Sequence, residues 1–370
     1  MRILALNFGS STLKYALFAG TGEEPATAGN AALPSAAAAL ELVRQHLAGA
    51  EVDAVAHRVV HGGSRHTVAA PFSAETEREV QELLSLAPRH NKLALAGLRG
   101  ARAAWPEAAQ VAVFDTAFHA SMPPRAATYA VPAAWREAGV RRYGFHGLSH
   151  QHVLESVARR LGTQREAPRV ISCHLGNGAS VCAIQGGRSI DTSMGFTPLE
   201  GLVMGTRCGD LDPGAIPYVA SRLGISLQAI EQALHAESGL AALAGHGGDM
   251  RRIEAAAAQG DAAAQFALEA YAYRVLKYIG AYAAAMGGCE AVAFTGGVGE
   301  GSPTVRGRVG ERLAFLGLHL AARANASPQF DAAGVAEIQE SGSSGRLLVV
   351  RAREEWVMAR ETRRILVEAS

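Results

Sequence analysis

The chain has 370 residues, more than one hydrophobic core usually organises, so two domains are expected. Hydrophobic residues account for 49% of the sequence and charged residues for 19%, as in a soluble globular protein. Lys+Arg 35 against Asp+Glu 34 leave a formal net charge of +1, which argues against nucleic acid or a membrane surface as a partner.

The cysteines and the N-terminus bear on the compartment. The four cysteines are scattered and form no CxxC pair, a pattern typical of buried thiols in a reducing compartment. The first apolar run follows a single basic residue and breaks at Asn7, so it predicts no signal peptide. No apolar stretch reaches the ~18 residues that a membrane span needs. We expect a cytoplasmic protein.

In the first half of the chain, strands alternate with helices, which predicts an α/β fold. Ile3–Phe18 predicts a strand, a turn of glycine and small hydroxyl residues, and a returning strand. The further predicted elements are a helix over Ser35–Ala48, a strand over Val52–Val60, helices over Phe72–Leu86 and Asn91–Trp105, and a strand over Val111–Phe114. The last strand delivers Asp115 at its carboxyl end, where ligands bind in such sheets.

The Pro-rich stretch Met122–Pro132 predicts a crossover into the second domain. Val170–Ile184 then predicts a second hairpin, with a Leu175–Gly178 turn whose glycines leave backbone N–H groups free for a phosphate. The two hairpins share one plan, which suggests two related domains that face one polyphosphate. The later elements are a Gly- and Pro-rich loop over Asp191–Pro217, a central packed helix over Asp261–Met286, a strand over Ala291–Phe294, a glycine turn over Thr295–Gly301, a strand over Leu347–Val350 and a helix over Glu354–Glu368.

The common nucleotide-binding motifs are absent: the sequence has no GxxxxGK[ST] loop, and no GxGxxG follows a predicted strand. A series of segments instead resembles, in order, the signature blocks of the acetate kinase family of short-chain acyl kinases. These segments are NFGSSTLK, HRVVHGG, FDTAFH, RRYGFHG, HLGNGAS, DTSMGFTPLEGLVMGTRCGDLDPG, GDMR, FTGGVGE and EEWVMARET. The likeness extends from Asn7 to about Thr362.

This resemblance implies a fold and a reaction. The family belongs to the superfamily of sugar kinases, heat-shock chaperones and actin. It implies two actin-like (ribonuclease H-like) domains with mixed central sheets and an active-site cleft between them. Residues 1–119 and 356–370 would form the N-terminal domain, and residues 120–355 the nucleotide-binding domain. The implied enzyme is a homodimer that transfers a phosphoryl group reversibly from ATP to acetate, giving acetyl phosphate and ADP.

The resemblance also implies roles for individual residues. Arg58 and Arg207 would hold the carboxylate of the acceptor, because arginine presents a planar fork to it. Asp115, His146 and Arg207 would be the catalytic residues, with His146 and Arg207 at the transition state. The residues that would line the small acyl pocket are Val60, Phe145 and Pro198.

The resemblance also implies a divalent metal, which is Mg²⁺ with Mn²⁺ as the alternative. It would lie near Asn7, Asp115 and Glu354, with Glu355 as the alternative to Glu354. Magnesium takes oxygen ligands, few of them from the protein. Acetate is already ionised at neutral pH, so an electrostatic role is favoured for Asp115 over that of a general base.

For ATP, the resemblance implies the phosphate hairpin, two residues of the first hairpin and two nucleoside-binding loops. The implied residues are Ser10, Lys14, His174, Leu175, Gly176, Asn177, Gly178, Asp249, Met250, Arg251, Gly297, Val298, Gly299, Glu300 and Gly301.

The segment Ala87–Lys92 departs from the family pattern. Arg89 stands where the family usually has an apolar residue beside the acyl pocket, and Lys92 replaces a usual proline. An unpaired buried charge is costly, so Arg89 has to reach solvent, a carboxylate or a polar substrate. The resemblance makes acetate the first prediction, and Arg89 keeps propionate or a more polar small acid as the alternative.

Two hypotheses from other classes stay open. One is an ATPase of the same superfamily without kinase activity, which would have no use for the carboxylate-binding arginines. The other is a zinc hydrolase built on His146, His150 and His152, whose spacing matches no standard zinc site.

Overall fold

The computed structural model describes residues 1–9, 12–86 and 88–368, with the backbone alone for residues 85 and 88–90. The chain forms two compact units. Unit 1 comprises Met1–Ala120, Phe145–His152 and Arg353–Ser370, and unit 2 comprises Ser121–Gly144 and Val153–Ala352.

These limits differ from the predicted domains at residues 145–152 and 353–355 and at the single residue 120, all of which the sequence assigns to the second domain. The physical reason at the first of these is a close backbone contact. The Gly147 N–H donates to the Asp115 carbonyl at 3.0 Å, within unit 1.

Unit 1 is built on a six-stranded mixed sheet in the order β3-β2-β1-β4-β6-β5. Its strands are β1 (Arg2–Phe8), β2 (Thr12–Ala19), β3 (Thr27–Ala32), β4 (Ala54–Val59), β5 (Ala70–Pro71) and β6 (Ala109–Phe114). The first three strands form an antiparallel meander, β4 pairs parallel with β1, and β6 pairs parallel with β4. The central strands are apolar almost throughout, because both faces of the sheet are covered.

Unit 2 contains a second six-stranded sheet, in the order β11-β12-β10-β7-β8-β9. Its strands are β7 (Val170–Leu175), β8 (Ala179–Gln185), β9 (Arg188–Thr192), β10 (Ala291–Thr295), β11 (Val335–Glu337) and β12 (Arg346–Val350). When the order is read from β9, each strand matches the strand of unit 1 at the same place, in pairing partner and in direction. The predicted pair of related α/β domains is therefore confirmed.

Helices cover the sheets. Those of unit 1 are Ala36–His46, Ala74–Glu82, Pro88–Ala104 and Glu354–Glu368. Helix Gly147–Leu161 begins in unit 1, and the helices of unit 2 are Pro124–Ala127, Ala133–Glu137, Ala215–Leu223, Leu227–Ala236, Gly239–Ala244, Met250–Ala258, Ala262–Met286, Gly296–Gly301, Pro303–Gly310 and Ala322–Ala326. None of the helices in the described ranges is both long and apolar enough to cross a membrane.

Two apolar layers hold the sheet of unit 1. One face packs against helix Ala36–His46 through Leu40 and Val43. The other face packs against helix Glu354–Glu368 through Val357 and Met358. The last helix of the chain is thereby fixed on the first sheet, next to β1.

The sequence predicted most of the long elements. Ser73 is the N-cap of helix Ala74–Glu82 and accepts a hydrogen bond from the Thr76 N–H at 3.2 Å. The long helix of unit 2 ends at Gly287, which has φ 68°, as the sequence indicates. The predicted glycine turn over Thr295–Gly301 is wrong, because Gly296–Gly301 is helical. A Cβ at Gly296 would lie 2.8 Å from the Leu175 carbonyl oxygen, so glycine lets this helix start against β7.

Buried histidines make the stability of unit 1 sensitive to acid. Burial lowers the pKa of His57 to about 4 and the pKa of His119 to about 4. The unfolded chain binds protons below a pKa of about 6.5, whereas the folded chain does not until about pH 4, so the free energy of unfolding falls with pH in that window. Each histidine contributes up to about 1.4 kcal/mol per pH unit.

We therefore expect urea unfolding at pH 7 and pH 5 to show a smaller pH dependence for His119→Gln and His57→Gln than for the wild type. His319→Gln removes an exposed histidine of unit 2 and is the control, with an unchanged pH dependence. Equal slopes for all three variants would contradict the assignment of this acid sensitivity to the two buried rings.

Candidate functional site

Arg58 is a charged residue on β4, whose other residues are apolar except for His57. Its guanidinium donates to Asp115 Oδ2 from Nε at 2.9 Å and from Nη2 at 2.5 Å. Asp115 directly follows β6, the parallel neighbour of β4, so the two side chains meet at the carboxyl edge of the sheet. The exposed fraction of the side chain is 15% for Arg58 and 1% for Asp115, which makes this a buried ion pair.

Asn7, near the end of β1, links this ion pair to the end of the chain. Its Oδ1 accepts from Arg58 Nη1 at 3.0 Å, and its Nδ2 donates to Glu354 Oε2 at 3.1 Å and to Glu355 Oε1 at 2.9 Å. Both glutamates open the last helix, which packs on the same sheet. The sequence could not separate Glu354 from Glu355, and the structure places both against one amide.

The electrostatics of this cluster keep Arg58 charged. Burial by itself would lower the pKa of Arg58, but the carboxyls of Asp115 and then Glu354 outweigh it and raise that pKa. Burial raises the pKa of the Asp115 carboxyl, and the Arg58 guanidinium opposes this shift. One guanidinium thus stands among three carboxyl groups.

The oxygen atoms of this cluster suit a hard divalent cation. Asp115 Oδ1 is buried and accepts no hydrogen bond from any described residue. Carboxylate oxygens such as those of Glu354 and Glu355 are the ligands that Mg²⁺ prefers. Asn7 fits less well, because its amide oxygen already accepts from the cationic Arg58. Over the described ranges no group of three or more His, Cys, Asp or Glu could hold a metal, so a cation here would complete its shell with water and phosphate.

His146 has an unusual backbone. Its φ is 58°, and among the described non-glycine residues only Ala48 also has a positive φ. Such a conformation costs about 1–3 kcal/mol and is concentrated at functional sites. The next residue is Gly147, where a Cβ would lie 2.0 Å from the Asp115 carbonyl oxygen. His146 is therefore held next to the Asp115 loop while its side chain stays partly exposed.

The other two histidines of this segment are structural. His150 is buried and packs on His119, with ring centroids 5.6 Å apart. His152 is buried and packs on Trp356, with ring centroids 5.8 Å apart. The zinc hypothesis receives no support from these contacts.

Two predicted acyl-pocket residues lie in unit 1. Val60 follows the strand of Arg58, Phe145 precedes His146, and both side chains are buried. His61 packs on the Phe145 ring at 5.4 Å between centroids. Val60 is thus two residues from Arg58 in sequence, and Phe145 is adjacent to His146.

The remaining predicted residues of unit 1 lie on or near the first hairpin and the helix Pro88–Ala104. Lys14 is exposed and pairs directly with Asn7 across β1 and β2, so both side chains are on one face. Ser10 and the Arg89 side chain lie outside the described residues. Lys92 is exposed.

Unit 2 contains a cavity of about 510 Å³, a size usual for small-molecule sites. The predicted ATP-binding residues that line it are Gly176, Asn177, Asp249, Met250, Arg251, Gly297, Val298 and Gly301. They come from the turn after β7, the start of helix Met250–Ala258 and the helix after β10. Three segments far apart in sequence thus meet at one cavity.

The walls of this cavity approach one another through glycine backbones. The Gly205 N–H donates to the Asn177 carbonyl at 3.0 Å, and a Cβ at Gly205 would lie 2.1 Å from Asn177 Oδ1. A Cβ at Gly248 would lie 2.5 Å from the Gly205 carbonyl oxygen. Residues with side chains would separate these loops, so glycine is required for the cavity to close.

The other predicted residues of these segments support the cavity without lining it. Leu175 and Gly299 are buried, and Glu300 Oε1 accepts from the Ala352 N–H at 3.0 Å. His174 pairs with Ser180 inside the hairpin. The residues that do not line the cavity are His174, Leu175, Gly178, Gly299 and Glu300.

The sequence interpretation missed five lining residues. They are Thr206, Leu240, Gly248, Glu254 and Ser302. Thr206, Gly248 and Ser302 directly adjoin predicted residues, so a wider window around each motif would have included them. Leu240 and Glu254 lie inside helices and carry no local signal.

Arg207 and Pro198 belong to the loop between β9 and helix Ala215–Leu223. Arg207 is half-buried, and its Nη1 donates to the Pro198 carbonyl at 2.8 Å. Pro198 is buried. The Pro198 carbonyl thus orients Arg207, the second of the two predicted carboxylate-binding arginines.

Unit 1 has a buried arginine that donates to carboxylate and amide oxygens, and unit 2 has a glycine-walled cavity. On two sheets of the same strand order, these are the components of a two-domain α/β phosphotransferase. The family model described as "Acetokinase family" matches residues 23–360 of this chain. An acetate kinase of Deinococcus deserti is 44% identical over 395 residues, which cover 99% of this chain and 98% of the relative.

Solved structures agree with this class. The crystal structure of Porphyromonas gingivalis acetate kinase has a TM-score of 0.89 at 36% identity and covers 99% of each chain. A propionate kinase from Francisella tularensis has a TM-score of 0.88 at 35% identity and covers 97% of this chain and 98% of its own. The chain belongs to the acetokinase family, a family of kinases.

Because Gly205 contacts Asn177 closely, a substitution at Gly205 is expected to weaken nucleotide binding. In Gly205→Ala the new methyl group forces Asn177 out of place, at a cost of about 1–3 kcal/mol. We expect the affinity for MgADP, measured by calorimetry, to fall about tenfold or more. Gly280→Ala, on the long helix, meets no atom within 4 Å and is the control. Wild-type affinity in Gly205→Ala would contradict the role of this contact.

Proposed function

We propose that this chain catalyses the reversible, Mg²⁺-dependent transfer of a phosphoryl group from ATP to acetate, giving acetyl phosphate and ADP. The transfer is direct and in line. Positioning and electrostatic stabilisation supply most of the catalysis in such reactions. The residues of both units described above provide these two functions.

The observation that carries the proposal is Arg58. A buried guanidinium fixed by Asp115 through two hydrogen bonds has few uses in a plain nucleotide hydrolase. In an acyl kinase it orients the carboxylate of the acceptor by charge-assisted hydrogen bonds. Val60 and Phe145 supply apolar surface suited to a short acyl chain.

The chain's own groups have distinct tasks in the transfer. Arg58 and Arg207 hold the acceptor carboxylate, which is already a nucleophile at neutral pH and needs no base. His146 and Arg207 donate to the charge that develops on the transferring phosphoryl group. Asp115 keeps the Arg58 guanidinium oriented. Mg²⁺ held by carboxylate oxygens of Asp115 and Glu354, with water and phosphate completing its shell, would offset the charge of the phosphate oxygens.

The nucleotide binds in the glycine-walled cavity of unit 2. The Gly176 N–H already donates to the Gly178 carbonyl at 3.0 Å, so the turn offers the backbone N–H groups of Asn177 and Gly178 to phosphate. Gly297 and Val298 present a flat wall for the base. Lys14, on the face of Asn7 in unit 1, adds a cation for the phosphates.

The preferred acid is the part of the proposal with a specific alternative. A solved structure named as a propionate kinase is nearly as similar as one named as an acetate kinase, with TM-scores of 0.88 and 0.89. One methylene group is worth only about 1–3 kcal/mol of discrimination in an apolar pocket. Propionate, or a more polar acid that meets Arg89, is therefore the second candidate.

The oligomeric state and the compartment complete the proposal. Helices Ala215–Leu223 and Leu227–Ala236 carry Tyr218, Leu223 and Leu227, each at least 66% exposed. Clustered exposed apolar side chains are typical of an interface, here between two copies of this chain in a homodimer. The free thiols of the four cysteines suit the cytoplasm.

Removal of either carboxylate-binding arginine tests the acceptor site. We expect Arg58→Ala and Arg207→Ala each to lower acyl phosphate formation, trapped as hydroxamate, by about a hundredfold or more, while ADP still binds. Arg58→Ala also leaves Asp115 buried without its partner, so Arg58→Lys, which keeps the charge, accompanies it. Arg44→Ala, exposed on helix Ala36–His46, is the control. Full activity in either alanine variant would contradict the assignment of that arginine to the acceptor site.

A panel of acids tests the reaction class and the substrate together. We expect ATP turnover to require an added carboxylate and kcat/KM to be highest for acetate, followed by propionate, because the predicted pocket is small and apolar. The comparison also includes glycolate and malonate. Preference for either of these supports the polar alternative, whereas turnover without any acid supports the ATPase alternative and contradicts the kinase.

A further inference from the structure

The loop that carries Arg207 has to be held by something outside itself. Residues 193–214 contain neither a helix nor a strand. Connections of this length are normally mobile unless they are functional and anchored. A group that orients a substrate cannot be mobile, because displacement by about 1 Å already costs about a hundredfold in rate. The anchors of this loop therefore matter for the acceptor.

Arg142 is the first anchor. Its Nη1 donates to the carbonyls of Thr192 at 3.1 Å and Ser193 at 3.2 Å, and its Nη2 donates to Glu200 Oε1 at 2.6 Å. The side chain is 15% exposed. Tyr129 donates its hydroxyl to the other oxygen of Glu200. Arg142 thus holds both the entry of the loop and a carboxylate within it.

The loop is shaped to close over this carboxylate. A Cβ at Gly195 would lie 1.8 Å from Glu200 Oε2 and 2.1 Å from the Tyr129 hydroxyl oxygen. The Phe196 N–H donates to the same hydroxyl at 3.1 Å. The hydrogen-bonded group Arg142, Glu200 and Tyr129 is therefore enclosed by the loop.

A short path leads from this group to the acceptor-binding guanidinium. Glu200 lies two residues beyond Pro198, whose carbonyl accepts from Arg207 Nη1 at 2.8 Å. We propose that Arg142 is a positioning residue for Arg207: by fixing Glu200 it fixes the Pro198 carbonyl, and that carbonyl orients Arg207. This inference rests on the proposed function, in which Arg207 holds the acceptor.

A second anchor confines the effect of losing the first. Asp210 accepts from the Gly201 N–H at 2.9 Å and from Arg274 Nη1, on the long helix, at 2.7 Å. These bonds do not involve Arg142. Ser193 is also bonded to Val181, and the Gly195 carbonyl accepts from the Tyr143 N–H at 3.0 Å. Removal of Arg142 should therefore loosen the loop between Phe196 and Glu200, while its first residues and its later part stay attached.

Arginine is specifically required at this position. It uses separate nitrogen atoms for the backbone carbonyls and for the carboxylate of Glu200. Lysine presents one point charge and cannot keep this planar arrangement. The geometry therefore distinguishes a positioning role from one that needs only positive charge.

The test compares Arg142→Met with Arg141→Met. Arg141 is the adjacent arginine, stacks over the Tyr143 ring at 5.7 Å and makes no bond to Glu200. We expect Arg142→Met to raise KM for acetate about tenfold or more, the effect of losing one charged hydrogen bond, with KM for ATP within about twofold. Arg142 does not line the nucleotide cavity, so a change in KM for ATP of equal size would overturn the inference.

Hydrogen exchange gives a readout that needs no activity. Amides of residues 196–200 should exchange faster in Arg142→Met, while those of the hairpin β7–β8 keep wild-type rates. Unchanged exchange in the loop overturns the inference even if the enzyme proves to have another substrate. Lack of acetate turnover in the wild type contradicts the proposed function alone, and the exchange result still decides the inference.

A second variant covers the risk that Arg142→Met does not fold. Arg142→Met with Glu200→Gln removes the unpaired carboxylate together with its partner. If Arg142 acts through Glu200, Glu200→Gln alone reproduces the rise in KM for acetate, and the double variant is no worse than either single one. Additive effects overturn the proposed path.

Discussion

A buried charge on a central strand governs the architecture of unit 1. Arg58 cannot be left unpaired in that position, because breaking a buried ion pair costs about 3–5 kcal/mol. Asp115 follows the next strand and answers this requirement, and Asn7 meets the guanidinium from the strand on the other side. The amide of Asn7 in turn engages Glu354 and Glu355, which the last helix brings to β1. Residues from both ends of the chain are thereby joined to the same guanidinium.

The duplicated sheet is used in two chemically different ways. In unit 1, the carboxyl ends of the parallel strands carry charged side chains. In unit 2, the equivalent strand ends lead into glycine-rich segments that present backbone groups. β7 is followed by the turn at Gly176, and β10 is followed by the helix Gly296–Gly301. Free N–H groups and close glycine contacts suit a polyphosphate and a flat base, whereas fixed charges suit a small carboxylate. One strand order would therefore supply both of the proposed substrate sites.

How far the sequence predicted this arrangement depended on the kind of signal. The apolar strand Val111–Phe114 was recognisable and led to Asp115 at its end, whereas Arg58 was assigned through the family resemblance. Strand β3, with the sequence TAGNAA, was missed because its residues have low β propensity and it forms only by pairing with β2. The helix Gly296–Gly301 was missed because tertiary contact with β7 outweighs the poor helix propensity of glycine. Arg142 carried no distinguishing signal, since only the folded loop brings it to Glu200.

The charge balance of unit 1 links the metal to the acceptor. Three carboxyl groups surround one guanidinium, which donates hydrogen bonds to Asp115 and Asn7. A second anion that approached Arg58 would meet Glu354 and Glu355 as well, and like charges at short range in a buried site repel strongly. Under the proposed function, a cation that offsets those glutamates would let a carboxylate bind beside Arg58. The divalent metal would then help to hold the acceptor, in addition to its role with the phosphates.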